Sequence, residues 1–464
     1  MVRIPSTPGL RARLKSALAS GTRREDDAGR PTLWANRNFL DLLYADTMAQ
    51  IGSQLAVVAI PLLAVGMLHA SAFEMGLLGA MGTLPYLLLG LVAGAWVDRL
   101  PKRTVMMVAD VARGLLILGI PVAAAFDHLS IGLLLAIAFL VGVLSVFFNA
   151  AYGALLPRLV RRDQLTDANG KLYGIQSIAQ VVGPALAGSL VGIVTAPVTM
   201  LVNAIGFLGS GWFIGRIDPA VDAPREGDGG EAAGTPHLGR EIREGLHALI
   251  ASPVLRSITA SQAMINLAGF VFLGVYVLYM KDDLHLSDRG VGLVFAAGGI
   301  GAVIGSALAA PLAARFGSGR TILWSSVAFG VGGVTVPLAI LAPNHALPLV
   351  VFAEFAQWLA LLVFNTNRLS LRQALTPDRL QGRVAATSQV LTIGMQPIGS
   401  LLGGIIGSLW SVQAALVVGV IGMILAFLFV WFSPTRDIQE LPTEPDPSLV
   451  REAHALEPAS QPAS

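Results

Sequence analysis

Long apolar segments separated by short polar ones make up the chain from residue 39 to residue 432. Each apolar segment has about 20 residues, enough for an α-helix to cross ~30 Å of hydrocarbon. Backbone groups inside a membrane must be hydrogen-bonded internally, so we predict that these segments are helices. The twelve predicted spans are residues 39–65, 73–97, 104–125, 130–153, 170–192, 196–215, 257–280, 290–314, 321–342, 346–367, 384–407 and 412–432.

Polar positions in the two halves of the chain recur at a constant spacing. Asp46 and Gln50 in the first span are matched 216 positions later by Gln262 and Asn266 in the seventh. The other matches at this spacing are Ser71 with Ser287, Gly76 with Gly292, and Phe148-Asn149 with Phe364-Asn365. This internal repeat predicts two related six-helix bundles, a plan that is common among membrane transporters. The expected fold is therefore an all-α membrane protein with twelve transmembrane helices in two pseudo-symmetric bundles.

Polar segments set the predicted domain boundaries. We predict a disordered basic tail at residues 1–34, a six-helix bundle at 35–215, a cytoplasmic linker at 216–255, a second six-helix bundle at 256–432 and a disordered tail at 433–464. Within the linker, apolar and basic residues between Leu238 and Ile250 follow helical spacing on opposite faces. That pattern predicts an amphipathic helix on the membrane surface.

Composition and charge agree with a membrane protein. The chain is 54% hydrophobic and 13% charged, whereas soluble proteins carry roughly 25% charged residues. Of its 31 Lys and Arg residues, all except Arg113, Lys281 and Arg289 fall in tails, loops and helix ends on one side of the predicted bundle. The positive-inside rule then places both termini in the cytoplasm, with the protein in the inner (plasma) membrane. The chain has no cysteine, which excludes disulfides and thiolate metal sites.

A charged loop joins the second and third predicted spans. It reads Gly94-Ala95-Trp96-Val97-Asp98-Arg99-Leu100-Pro101-Lys102-Arg103. This segment resembles the signature loop of the major facilitator superfamily, Gly-x-x-x-Asp-Arg/Lys-x-Gly-Arg-Arg/Lys, with Pro101 and Lys102 departing from it. The resemblance implies a gating role for Gly94, Asp98, Arg99, Lys102 and Arg103. It places Asp98 opposite the start of the eleventh span, near Arg383–Thr387, when the cytoplasmic side is closed.

The fifth span carries a second family resemblance. Gly170, Gly183, Pro184 and Gly188 are similar to the antiporter motif of the superfamily, with Ala179 and Ala187 in place of two of its glycines. The segment before it, from Pro157 to Asn169, resembles the macrolide-efflux and siderophore-exporter branch. Together these resemblances imply proton-driven export of a bulky amphiphile such as a drug, a siderophore or a natural product.

Polar side chains inside the spans predict a central cavity. They are costly against lipid, so their helix faces are expected to point into the bundle. The predicted cavity residues are Gln50, Gln54, Ser145, Asn149, Gln262, Asn266, Trp358 and Asn365.

Three acids, Asp46, Asp110 and Glu354, lie at least six residues inside the predicted spans. Burial makes an ionised carboxylate costly and so favours its protonated form, which suits a proton carrier. Glu354 has no Lys or Arg in its own span that could pair with it, so we predict it as the principal proton-coupling site and Asp46 as the second. The alternative for Glu354 is that it only pairs with another buried group, and the alternative for Asp46 is a fold-stabilising hydrogen bond to a neighbouring helix. Asp110 and Arg113 lie three residues apart and are predicted to form a structural ion pair.

The sequence therefore predicts a proton-coupled antiporter that acts by alternating access. It would work as a monomer in the lipid bilayer on a small-molecule substrate, with the proton gradient in place of a cofactor and with no metal and no nucleic acid. An importer, a lipid mover or a non-transporting sensor on the same fold is the alternative. An enzyme is disfavoured, because no HExxH, GxSxG or Walker motif is present.

Overall fold

The computed structural model describes residues 33–97, 99–223, 238–442 and 444–449. Within these residues, twelve helices are long and apolar enough to cross a membrane, and each coincides with one predicted span. The first six are α1 (Arg37–Gly66), α2 (Ala72–Val97), α3 (Lys102–Ala125), α4 (Ile131–Leu159), α5 (Leu165–Ile193) and α6 (Ala196–Arg216). The prediction of an all-α membrane protein is confirmed.

The second half repeats the first with three interrupted helices; the ninth span turns at Val334 and continues as Thr335–Leu338. Its members are α7 (Pro253–Leu278), α8 (Asp288–Phe316), α9 (Ser318–Gly333), α10 (Ala346–Leu375), α11a (Asp378–Ile393), α11b (Met395–Leu409), α12a (Val412–Leu425) and α12b (Phe427–Trp431). Several helices extend beyond their apolar segments; α4, for example, continues to Leu159, six residues past the predicted end. Polar residues do not end a helix by themselves, so hydropathy marks only the part of the helix inside the hydrocarbon.

Serine hydroxyls fix where several helices begin. The Ser287 side chain accepts a hydrogen bond from the backbone N–H of Gly290, and Ser130 and Ser411 do the same for α4 and α12a. At the start of α2, the backbone N–H of Glu74 donates to the Ser71 hydroxyl, while the Glu74 carboxylate accepts from Ser71. These caps satisfy amide groups that have no partner within the helix.

Helix packing follows the same scheme in both halves. In the first half α1 packs against α5 and α6, α2 against α4, and α3 against α4 and α6. In the second half α7 packs against α11b and α12a, α8 against α10, and α9 against α10 and α12a. Adding six to each helix number in the first set of pairs gives the pairs of the second set. The predicted pair of pseudo-symmetric six-helix bundles is therefore confirmed.

Two sides of the bundle are distinguished below. The terminal side is the one at which α1 begins and α12b ends, and it holds the α2–α3, α4–α5 and α10–α11a connections. The far side holds the α1–α2, α3–α4, α5–α6, α7–α8 and α11b–α12a connections. The halves meet along two helix crossings, α2 with α11b and α5 with α8.

The linker contains a helix from Leu238 to Ala251 that packs on the terminal side. The Glu244 carboxylate lies 2.6 Å from the Arg383 guanidinium at the start of α11a. A Cβ on Gly245 would lie 2.7 Å from the Arg383 carbonyl oxygen, so the two helices touch at the backbone. The predicted amphipathic helix is present, and it packs against protein on one face.

The chain after α12b differs from the expectation of disorder over residues 433–464. The backbone N–H groups of Ser318 and Gly319 donate to the carbonyls of Gln439 and Ile438, at 3.0 and 2.8 Å. The Asp446 backbone N–H donates to the Leu375 carbonyl at 2.9 Å. The described part of the tail, residues 433–442 and 444–449, is thus ordered, because it supplies acceptors for the first turn of α9. Residues 450–464, like residues 1–32, lie outside the described residues.

Candidate functional site

Glu354 lies in α10 at the meeting point of three helices. It is buried, and its Oε1 accepts a hydrogen bond of 2.8 Å from the Trp358 indole one turn later. A Cβ on Gly298 of α8 would lie 3.0 Å from Glu354 Cγ and 2.6 Å from Trp358 Cδ1. Glycine at that position therefore makes room for the pair. Among the residues that the structure describes, no Lys or Arg lies within 4 Å of the Glu354 carboxylate.

Tyr276 of α7 completes this site. Its ring is fully buried against Phe272 and Phe295, at centroid distances of 4.8 and 6.0 Å. Its hydroxyl lies beside the Glu354 carboxyl, although without the geometry of a good hydrogen bond. The Trp358 side chain, by contrast, is 40% exposed. A buried carboxyl group is thus combined with one enclosed phenol and one accessible indole.

Sequence reasoning missed Tyr276 and Gly298. Tyr276 lies in an otherwise apolar stretch of α7, and a buried tyrosine usually has a polar partner for its hydroxyl. That requirement was a usable signal. Gly298 gave no comparable signal, because its role depends on how closely α8 approaches α10.

The first half holds a different cluster around Asp46. The Asp46 side chain is buried in α1, with the Gln50 amide beside its carboxyl one turn later. Asp110 of α3 and Tyr152 of α4 lie close enough to interact with it electrostatically. Two carboxyl groups therefore share this region of the first half.

Asp110 and Arg113 form the expected ion pair within α3, and both side chains are buried. Ser210 of α6 donates a hydrogen bond of 2.5 Å to Asp110 Oδ2. The Arg113 guanidinium lies between the rings of Phe148 and Phe207, 4.3 and 4.6 Å from their centroids. The pair thereby connects α3 with α4 and α6. Arg113 Nε has no acceptor among the described residues.

The eight predicted cavity residues fall into separate groups. Gln262 donates to Asn266 at 3.0 Å, and Asn266 donates to the Thr392 carbonyl at 2.8 Å. Asn149 donates to the Tyr86 hydroxyl at 2.8 Å. Ser145 accepts from Arg113 at 3.3 Å, so it belongs to the ion-pair cluster. Gln50, Gln54 and Asn365 are partly buried, and the Gln54 Cβ packs where α5 has Gly183.

The structure describes only part of the predicted gating loop. Asp98 lies outside the described residues. Arg99 is exposed and Lys102 is buried. The Arg103 guanidinium donates to the Gly215 carbonyl at the end of α6, and its backbone N–H donates to Asp222. Arg103 therefore joins the loop to its own half of the protein.

Glycine pairs close the bundle on the far side. A Cβ on Gly188 of α5 would lie 2.6 Å from the Gly292 Cα of α8, and a Cβ on Gly76 of α2 would lie 2.6 Å from the Gly404 Cα of α11b. The Ser400 hydroxyl also donates to the Gly76 carbonyl at 2.9 Å. We call these two crossings the far-side seal. The spacing of 216 relates Gly76 to Gly292 and Gly188 to Gly404.

The seal reveals a second copy of the antiporter-like motif. Gly183-Pro184-x-x-Ala187-Gly188 in α5 is matched, 216 positions on, by Gly399-Ser400-x-x-Gly403-Gly404 in α11b. The repeat spacing could have identified this copy from the sequence. Towards the terminal side the same helices pack less closely: a Cβ at each of five glycines would meet no described atom within 4 Å. These are Gly90, Gly94, Gly170, Gly174 and Gly382.

Twelve spans in two repeated bundles that cross closely at the far side define a membrane transporter of the major facilitator superfamily. The model of the transmembrane secretion effector family matches residues 33–458, and the chain belongs to this family. The fold and the exporter branch implied by the sequence motifs are thereby confirmed. Its relatives are transporters and not enzymes.

Similar proteins agree with this assignment. The chain is 28% identical over 426 residues to the multidrug efflux pump Tap of Mycolicibacterium fortuitum, covering 87% of this chain and 97% of that protein. It is 24% identical over 345 residues to macrolide efflux protein A of Streptococcus pyogenes, covering 72% and 81%. Among solved structures, a bacterial ferroportin homologue in an inward-facing state has a TM-score of 0.65 at 18% identity, covering 85% of this chain and 98% of that chain. A bacterial Spinster homologue, also inward-facing, has a TM-score of 0.64 at 15% identity, covering 89% and 97%.

Proposed function

We propose that this protein is a proton-coupled antiporter that exports a bulky amphiphilic small molecule by alternating access. The observation that carries the proposal is Glu354, a buried carboxyl group with an indole partner and no described cation beside it. An acid inside a membrane-spanning helix is costly and therefore usually serves an ion or substrate pathway. The named activities of the relatives, multidrug and macrolide efflux, support the class of substrate.

In this proposal Glu354 binds a proton and the substrate alternately. Ionised, its carboxylate accepts from Trp358 and attracts the positive or polar end of an amphiphile, while the exposed indole offers an apolar and cation–π surface. Protonated, it loses the charge and releases the substrate. The two ligands must stabilise different states for exchange to occur, because a ligand shifts an equilibrium only through its differential affinity. Asp46 is the second proton site, with Gln50 beside it.

The distribution of charge supports the orientation. Lys and Arg concentrate at the terminal side, so we place that side and both termini in the cytoplasm of a cell with this protein in its inner membrane. The sealed far side then faces outward, and the geometry corresponds to a state open to the cytoplasm. Export requires the two glycine crossings to separate while the terminal side closes. A monomer suffices for this cycle.

Replacement of Glu354 tests the proposal. Inverted vesicles containing the Glu354→Gln variant should lose substrate accumulation driven by a pH gradient, because glutamine keeps the bond from Trp358 but binds no proton. Glu440→Gln, which changes an exposed acid at the terminal side, is the matched control and should transport normally. Wild-type export with intact pH dependence in Glu354→Gln would leave Asp46 as the coupling site. Uptake into right-side-out vesicles alone would instead indicate an importer.

A further inference from the structure

A groove of about 570 Å³ runs between α3 and α6 on the outside of the first half. Its walls are α3 from Met107 to Leu115 and α6 from Leu208 to Arg216. Val108, Leu115 and Trp212 on its rim are each more than half exposed. Large apolar side chains exposed on a spanning helix face the lipid, so the groove opens towards the membrane and lies outside the site around Glu354.

The second half shows why this groove is open. At the spacing of 216, Gly211 and Gly215 of α6 correspond to Phe427 and Trp431 of α12b. The rings of Phe427 and Trp431 lie 6.2 Å apart in an edge-to-face contact. Two aromatic side chains thus stand at the positions where the first half has two glycines. The groove is a specific feature of the α3–α6 pair and is not imposed by the repeated fold.

Two guanidinium groups stand at the terminal end of the groove. Arg216 lines it, and its Nε lies 3.4 Å from Asp41 Oδ1, with its guanidinium over the Trp212 ring. Arg216 donates no hydrogen bond to any described residue. Arg103 reaches the carbonyl of neighbouring Gly215, and its Nε is buried without an acceptor. Arg216 is 39% exposed and faces one acid, Asp41, so its guanidinium can still reach a phosphate, a group that guanidinium binds well.

We propose that this groove binds one acyl chain of an anionic phospholipid, whose phosphate pairs with Arg216. The groove follows α6 over the nine residues from Leu208 to Arg216, which rise about 12 Å, less than the ~15 Å depth of one leaflet. The chain therefore fits with its headgroup at the level of Arg216, where Trp212 marks the membrane interface. With the proposed orientation this is the cytoplasmic leaflet, the one rich in anionic lipids.

Native mass spectrometry of the purified full-length protein tests this assignment. Delipidated protein is incubated with equal amounts of phosphatidylglycerol and phosphatidylcholine, and bound lipids are counted. Phosphatidylglycerol should be retained about fivefold over phosphatidylcholine, since a basic residue at the surface contributes about 1 kcal/mol. Glycerol phosphate and palmitate are added separately, and neither alone should displace the phospholipid, because each carries half of the recognised structure.

Variants locate the site. Arg216→Gln should abolish the preference for phosphatidylglycerol, whereas Arg320→Gln, at an exposed terminal-side position of the second half, should preserve it. Gly211→Phe introduces the residue found at the matched position 427 of the second half. It should fill part of the groove and lower retention of both lipids. If Gly211→Phe does not fold, Arg216→Gln decides the question by itself. Equal retention of the two lipids by the wild type, or an equal loss in Arg320→Gln, would overturn the proposal. Displacement of phosphatidylglycerol by the amphiphilic dye rhodamine 6G would reassign the groove to substrate.

Discussion

The two halves of this protein share a scaffold and differ in buried chemistry. Both use the same helix pairs, and both contribute matched glycines to the far-side seal. At the same spacing, however, Glu354 corresponds to Ala138, Asp110 to Ser326 and Arg113 to Phe329. The first half thus holds an ion pair near a second acid, and the second half holds one acid among aromatic rings. Small residues at helix crossings are what the repeat preserves, while charge was placed in each half independently.

The largest effect is expected from breaking the ion pair of the first half. Arg113→Leu leaves Asp110 buried without its cation and should cost about 3–5 kcal/mol of stability. The comparable change in the second half is Glu354→Gln. It should leave thermal unfolding in detergent close to wild type, because no described cation pairs with Glu354. Adding Asp110→Leu to Arg113→Leu should recover most of the loss. Comparable melting of Arg113→Leu and wild type would show that the two halves do not differ in this respect.

An intermediate effect is expected from overpacking the seal. Gly188→Val and Gly404→Val would force side chains against Gly292 and Gly76, and overpacking costs typically ~1–3 kcal/mol. The far side should open more often. Since the chain has no cysteine, a single Asn365→Cys can report this as an increase of about tenfold in labelling by an impermeant maleimide. Gly132→Val, at the far-side start of α4, is the control, because a Cβ there would meet no described atom within 4 Å. An effect from only one of the two crossings would refute their equivalence.

The smallest effect is expected from one hydrogen bond in the seal. Ser400→Ala removes the donor to the Gly76 carbonyl and should cost the closed far side about 0.5–1.5 kcal/mol. The same Asn365→Cys labelling should rise less than in Gly404→Val. Ser408→Ala, whose hydroxyl bonds only within α11b, should not change it. A rise in Ser408→Ala equal to that in Ser400→Ala would show that the bond across the crossing is unimportant.

The sequence predicted the helices and the repeat because both depend on local composition. The hydrophobic segments determined the twelve spans, and matched polar residues revealed the spacing of 216. Glu354 was identifiable as an acid without a cation in its own span. Contacts between helices were less accessible. Ser145 shares a helix face with Asn149, yet Arg113 reaches it from α3. The role of Gly298 could be recognised only from the structure, which shows how closely α8 packs against α10.

The part of the C-terminal tail that the structure describes, up to residue 449, differs from the prediction for a different physical reason. Its composition is typical of disorder, and composition cannot register that the first turn of α9 has amide groups in need of acceptors. Gln439 and Ile438 supply them. The same limitation concealed the groove between α3 and α6, since it depends on glycines whose aromatic counterparts lie 216 residues away.

The ordered tail has a mechanical consequence. Ile438 and Gln439 contact the first turn of α9, and Asp446 contacts both the last turn of α10 and Ser252, which caps the start of α7. The tail therefore ties three helix ends together, and we expect these ends to move as one unit during transport. A fluorescent reporter fused directly after Phe432 would replace the tail, so the ends of α7, α9 and α10 could move independently. A reporter attached beyond residue 449 would keep these contacts and would report the joint movement of the three helix ends.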